Sequence, residues 1–209
     1  MTSKSGNINW SSAWADKTFR GKILTSLFLL ILTAVLSPAF FNYVEVRNGF
    51  QLNDVLLNIL SAHDFSIPVF AIIWFLFLLT IIRSIRSPQF FLVFIIGYLL
   101  LNVSRFITIT LVPLNPPAGI IELKDPLTNL FYGNHFVSKD LFYSGHTATL
   151  LLMSFCFSNK WDKVFGVVAS VTVAVLLLIQ HVHYSIDIIA APVFAVIIYW
   201  LAKKIAATN

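Results

Sequence analysis

The chain has 209 residues, 58% of them apolar and only 11% charged, with a formal net charge of +5. Soluble domains run near roughly 45–50% apolar and 25% charged, so a water-soluble fold of this length would be left with unburied apolar surface. The class is therefore integral membrane. Basic residues occur in ones and twos between apolar runs, which excludes a clustered nucleic-acid-binding face and points to a topogenic role. Cys156 is the only cysteine, so an intrachain disulfide and a thiolate metal cluster are excluded. In its apolar stretch it reads as a small core residue.

Residues 1–22 read as a cytoplasmic segment lying at the membrane interface, with Trp10 and Trp14 as its apolar contacts. No linker or repeat divides the rest, so 23–209 is taken as one all-α domain. Crossing a bilayer core takes about 20 apolar residues at about 1.5 Å each. Six stretches qualify, at 23–41, 66–82, 89–111, 141–157, 164–180 and 186–201. The basic residues before Ile23 also fit a signal peptide, but Ser37-Pro38-Ala39 is a poor cleavage site, so the first span is read as uncleaved. Between the first two spans, Leu52, Val55, Leu56, Ile59 and Leu60 recur at helical spacing, with Asn53, Asp54 and Asn58 opposite. That pattern predicts a helix lying on the membrane.

Six spans put both termini on one side. With the termini inside, that side carries Lys4, Lys17, Arg20, Lys22, Arg83, Arg86, Lys160, Lys163, Lys203 and Lys204, against Arg47, Arg105, Lys124 and Lys139 outside. The bias predicts cytoplasmic termini. Trp161 and Trp200 fall near the inner interface, as an aromatic belt would.

On this map the polar residues inside apolar segments gather at the outer end. Arg105 lies near the end of the third span, Ser144, Gly145 and His146 open the fourth, and His181, His183 and Asp187 bridge the fifth and sixth. Ionisable groups at membrane depth are costly, and several segments sending them to one end argues for a site. The residue types suit phosphoryl transfer. His183 and Asp187 are spaced i, i+4 and share a face if that stretch is helical. A carboxylate on Nδ1 would fix the tautomer and leave Nε2 as a nucleophile. His146, just after Ser144-Gly145 at a helix start, would protonate a leaving alkoxide while free backbone N–H groups hold phosphate oxygens. Arg105 would clamp the same oxygens. Zinc held by His146, His181, His183 and Asp187 is the chemical alternative. The two-residue histidine spacing, the lack of His-Glu-x-x-His and the nearby arginine argue against it.

These residues also carry a resemblance. Phe142-Tyr143-Ser144-Gly145-His146-Thr147 and His181-Val182-His183-Tyr184-Ser185-Ile186-Asp187 resemble the two catalytic motifs of the sphingomyelin synthases, a branch of the type 2 phosphatidic acid phosphatase superfamily. Arg105-Phe106-Ile107-Thr108, running into Leu111-Val112-Pro113, looks like a third motif of that branch, and Asp140 agrees with it too. The likeness spans residues 90–200. It implies six spans with the site on the non-cytoplasmic side, His183 as nucleophile through a phosphohistidine-type intermediate, Asp187 orienting it, and His146 as acid and then base. It implies Arg105 as phosphate clamp beside Ser144 and Gly145, with Tyr143, Tyr184, His181 and Asp140 in support, and neither cofactor nor metal. The lipid phosphatases of the superfamily carry Lys-x6-Arg-Pro, a Pro before Ser-Gly-His, and an Arg six residues before the nucleophile. This chain has no such first motif, and Tyr143 and Leu177 stand at the other two places. Fewer cations suit a monoanionic phosphodiester.

The expected function is therefore transfer of a phospho-headgroup from a glycerophospholipid to ceramide or a similar lipid alcohol. A lipid phosphatase or phosphodiesterase using water, and a catalytically silent lipid-binding protein, stay open as alternatives. Partners are a phospholipid donor and a lipid acceptor, with no nucleic acid, and the expected location is a bacterial inner membrane with the site facing the periplasm. Lys139, His135, His63, Asp64 and the Asn115-Pro116-Pro117 turn are read as loop or interface residues.

Overall fold

The computed structural model describes residues 9–124 and 137–207, and among these it is helical without a β-strand. Its helices are α1 (Trp10–Ala15), α2 (Lys17–Val46), α3 (Val55–Ile59), α4 (Ser66–Arg86), α5 (Pro88–Leu111), α6 (Gly145–Cys156), α7 (Lys160–Ile179) and α8 (Ser185–Ala207). Their starts follow from local chemistry. Asp16, Asp54, Ser144 and Asn159 each accept backbone N–H groups of the first turn of α2, α3, α6 and α7. Ser87 caps α5, with Pro88 at its first position, where a missing N–H costs nothing.

Five helices, α2, α4, α5, α7 and α8, are long and apolar enough to cross a membrane. The fourth expected span is the exception. It was read as 141–157, but α6 has 12 residues, about 18 Å against a hydrocarbon core of about 30 Å. Its apolar run is cut short because Phe142 turns at φ 90° and Ser144 caps the helix, so Leu141 and Tyr143 are buried in a bend before it.

That short helix is the centre of the bundle. Leu150 and Met153 of α6 pack with Leu76 of α4, Phe90 of α5 and Leu177 of α7. Its opposite face, with Ala148 and Leu152, meets Leu101 of α5 and Ala191 and Ala195 of α8. Small residues at these crossings let backbones approach, which is how membrane helices gain packing without a hydrophobic drive. In contrast, α2 leans chiefly on α5 and leaves most of its apolar surface exposed.

Chain direction alternates, so α2, α5 and α7 end where α4, α6 and α8 begin. At the far end, Trp10 donates to the Ile85 carbonyl at 2.8 Å, Arg83 pairs with Asp162 through two bonds, and Lys22 reaches the Ala206 carbonyl. Both ends of the described chain therefore lie on one side of the bundle, opposite the candidate site.

Candidate active site

The site end is organised by the turn between α7 and α8. The α7 helix closes with the His181 N–H on the Leu178 carbonyl and the Val182 N–H on the Leu177 carbonyl, both at 3.0 Å. This double bond pattern places the residue after the C-cap in the left-handed region, usually as glycine. Here it is His181, at φ 57°. Its Nδ1 lies 2.9 Å from the Ala118 carbonyl and Nε2 3.2 Å from the Leu60 carbonyl, so whichever nitrogen carries the proton donates to an outer segment rather than to His183.

Neighbouring residues hold further segments. Gln180, fully buried, donates from Nε2 to Ser66 Oγ at 3.0 Å and to the Glu122 carbonyl at 3.1 Å, and accepts from the Phe65 N–H at 3.0 Å. Tyr184 donates its hydroxyl to the Asn115 carbonyl at 2.9 Å and accepts from the Leu52 N–H. Asp54 accepts from the Ser185 N–H at 2.6 Å and hydroxyl at 2.9 Å while still capping α3. Burial works to raise the Asp54 pKa, but the Ser185 bonds with those from Leu57 and Leu56 outweigh it and hold it below the ordinary value of 3.8.

His183 sits in this turn, not on a helix, which corrects the expected shared helical face. The contact forms because Asp187, in the first turn of α8, reaches back. Its Oδ2 lies 3.3 Å from His183 Nδ1 and accepts the Tyr184 N–H at 3.1 Å, and its Oδ1 accepts the Phe142 N–H at 3.2 Å. Both side chains are buried. Asp187 thus closes its own helix as an N3 residue reaching back to the cap and orients His183 by the same carboxylate.

The same residue ties in α6, because the Ser144 N–H donates to the Asp187 carbonyl at 3.1 Å. Arg105 approaches from α5. It donates to the Tyr143 carbonyl and pairs with Asp140, and its guanidinium packs against Gly145. Arg105 stands six residues before the end of α5, so the start of α6 is sunk about 9 Å below that end. His146 follows on the first turn of α6, edge-on to Phe70 of α4. Tyr143 fixes the approach, with its ring stacked on Phe194 at 4.3 Å and its hydroxyl on Ser104 and the Leu101 carbonyl.

A histidine–carboxylate pair and a guanidinium thus meet the chain at the N-terminus of α6, and a second histidine follows on its first turn. Helix N-termini and arginine favour an anion rather than a cation, and among the described residues no three His, Cys, Asp or Glu side chains converge as a metal cluster. Residues 139–204 match the family described as PAP2 superfamily C-terminal. The match includes Asp140, Tyr143 to His146 and His181 to Asp187, and leaves out Arg105. It covers 66 of 209 residues and supports kinship with the type 2 phosphatidic acid phosphatase superfamily, whose reactions are those of lipid phosphatases and phosphotransferases. No match was found to a curated protein or to a solved structure.

Other sequence readings resolve as follows. Lys139 donates to the Arg47 carbonyl at 2.6 Å, and its backbone N–H to Glu45 at 2.7 Å, so it ties the loop to the end of α2. Asp64 caps Ser66 at the start of α4, and Asn115 donates to the Gly49 carbonyl. His135 lies outside the described residues. Gln180 and Asp54 are supporting residues that the sequence reading passed over as a span boundary and an interfacial face. A buried polar group closing an apolar span was the available signal.

Proposed function

We propose that this chain is a membrane lipid phosphotransferase, moving a phospho-headgroup from a glycerophospholipid to ceramide or a similar lipid alcohol. The observation that carries the reading is the His183–Asp187 pair, bonded into the start of α6 where Arg105 and His146 also stand. With Nδ1–H donating to Asp187, His183 Nε2 keeps its lone pair. It attacks phosphorus, a P–N bond forms, and the bond from phosphorus to the glycerol oxygen breaks. His146 gives its proton to the departing diacylglycerol alkoxide. The acceptor hydroxyl then loses its proton to His146 and attacks phosphorus, the P–N bond breaks, and both histidines are restored. Arg105 and the first N–H groups of α6 offset charge on the phosphoryl oxygens. No metal or cofactor takes part in this scheme.

The modest cation count supports a diester over a dianionic monoester. Leu177, where phosphatases of the superfamily carry arginine, is buried in an apolar cluster. A hydrolase with water as acceptor is the second reading, favoured by the phosphatase kinship of residues 139–204. We assign α6 as a sixth, partial span, with cytoplasmic termini and the site facing the periplasm of a bacterial inner membrane, on the distribution of lysine and arginine.

Purified protein in mixed phospholipids, given fluorescent ceramide, tests the reading beside His183→Ala. A phospho-sphingolipid made only by the intact protein supports the transferase. Headgroup release without transfer supports the hydrolase, and no His183-dependent product sinks both.

A further inference from the structure

Because α2 leans on α5 and leaves α4 uncovered, an apolar cavity of about 550 Å³ opens between them. Its walls include Leu27 and Leu30 of α2, Trp74 of α4, Phe94 of α5, and Thr149 and His146 of α6. His146 is the imidazole among these walls; the remainder are apolar or aromatic apart from Thr149 and Tyr98. A second apolar cavity, of about 740 Å³, continues along α2 as far as Asn42 and shares Leu27, Leu30 and Tyr98 with the first. Tyr98 therefore stands on the boundary between them.

The position of His146 decides what the first cavity takes, on the proposed reaction as premise. His146 handles the oxygen that joins phosphorus to the lipid alcohol, protonating it as it leaves and deprotonating its replacement. Phosphorus and headgroup lie toward Arg105 and His183, so the carbon skeleton bonded to that oxygen lies on the His146 side. An apolar, membrane-depth cavity there matches hydrocarbon and repels a charged headgroup. We propose that this cavity is the tail site of the lipid-alcohol half of the substrate. One chain lies beside His146, and the second chain of a two-chain lipid crosses Tyr98 into the adjoining cavity. Leaving diacylglycerol and incoming acceptor use the same site in turn, exchanging with the bilayer through the gap between α2 and α4.

The test fills the cavity without touching the polar residues of the site. Leu30→Trp and Ile73→Trp occupy it from two helices, and Val168→Trp on the exposed face of α7 is the control. Nanodiscs of phosphatidylcholine, phosphatidylethanolamine and phosphatidylglycerol identify the phospholipid turned over fastest, and its dioleoyl and dibutyryl forms are then compared. Blocked methylenes forfeit their burial, so kcat/KM for the dioleoyl form falls about 10-fold or more in both fillers. The dibutyryl form, whose chains stop short of the cavity, changes within about 2-fold. Equal losses on both forms in variants that melt like the parent, or no loss on either, overturn the assignment. If the intact protein turns over no phospholipid, the phosphotransferase reading fails and photolabelling judges the tail site alone. Phosphatidylcholine with a chain-terminal diazirine should then mark Trp74 or Met153 and lose that mark in Leu30→Trp. Label confined to the outer faces of α7 and α8 overturns the tail site.

Discussion

Gly145 and Arg105 are in contact, such that a Cβ at position 145 would stand 2.6 Å from the guanidinium carbon and 2.8 Å from Nε. The glycine is required for space rather than for backbone conformation, since it begins α6 with no positive φ. Arg105 cannot yield easily, because the Tyr143 carbonyl and Asp140 hold its two terminal nitrogens.

Gly145→Ala should therefore displace the guanidinium from the start of α6. Turnover is expected to fall about 100-fold or more, as when one preorganised donor to a developing charge is removed. Lipid turnover with a melting curve measures it. Full activity in Gly145→Ala would show that the position of Arg105 is not needed.

Asp187 receives three donors, the Tyr184 and Phe142 N–H groups and His183 Nδ1. Asparagine presents one acceptor oxygen and turns an NH2 toward the rest. Asp187→Asn is expected to lower turnover by about 10³ to 10⁴, the scale of a lost orienting carboxylate. It should also lower stability by about 1–3 kcal/mol through the buried donors left unpaired. His183→Ala should abolish turnover while melting closer to the parent. Equal melting of parent and Asp187→Asn would refute the capping role.

Asp54 makes stability depend on acidity. Its folded pKa lies below the ordinary 3.8, so its contribution is complete above about that value and is lost as pH falls through the folded pKa. Melting temperature should decline as pH drops below 3.8, and Asp54→Asn should flatten part of that decline. An unchanged acid slope in Asp54→Asn would place the dependence elsewhere.

His181 couples a backbone cost to a side-chain gain. A non-glycine residue in the left-handed region costs about 1 kcal/mol, and the imidazole N–H donates to one of the two carbonyls it faces, Ala118 or Leu60, joining the turn to an outer segment as a bridge. His181→Ala keeps the cost and loses the bridge, whereas His181→Gly loses both. The expected order of melting is parent, then His181→Gly, then His181→Ala, with the two variants about 1 kcal/mol apart. A reversed order of the two variants would mean that the φ value is not a cost.

The long helices were legible because an apolar run of that length has one stable form in a bilayer. Expected spans at 66–82 and 89–111 correspond to Ser66–Arg86 and Pro88–Leu111. The span expected at 141–157 is helical only over Gly145–Cys156, because hydropathy cannot distinguish buried non-helical chain from helix. Leu141 and Tyr143 are apolar and buried, yet they precede the cap at Ser144.

Sequence by itself determined the membrane class and the existence of the long apolar helices, since composition and periodicity are local properties. Tertiary structure decided that His183 meets Asp187 from a turn rather than a helix face, and that the His181 ring faces the Ala118 and Leu60 carbonyls of the outer segments. It also decided that Gln180 and Asp54 hold the outer segments around the site. These depend on which distant carbonyls and N–H groups meet a buried side chain. That pairing is set by how the helices pack, and no local pattern records it.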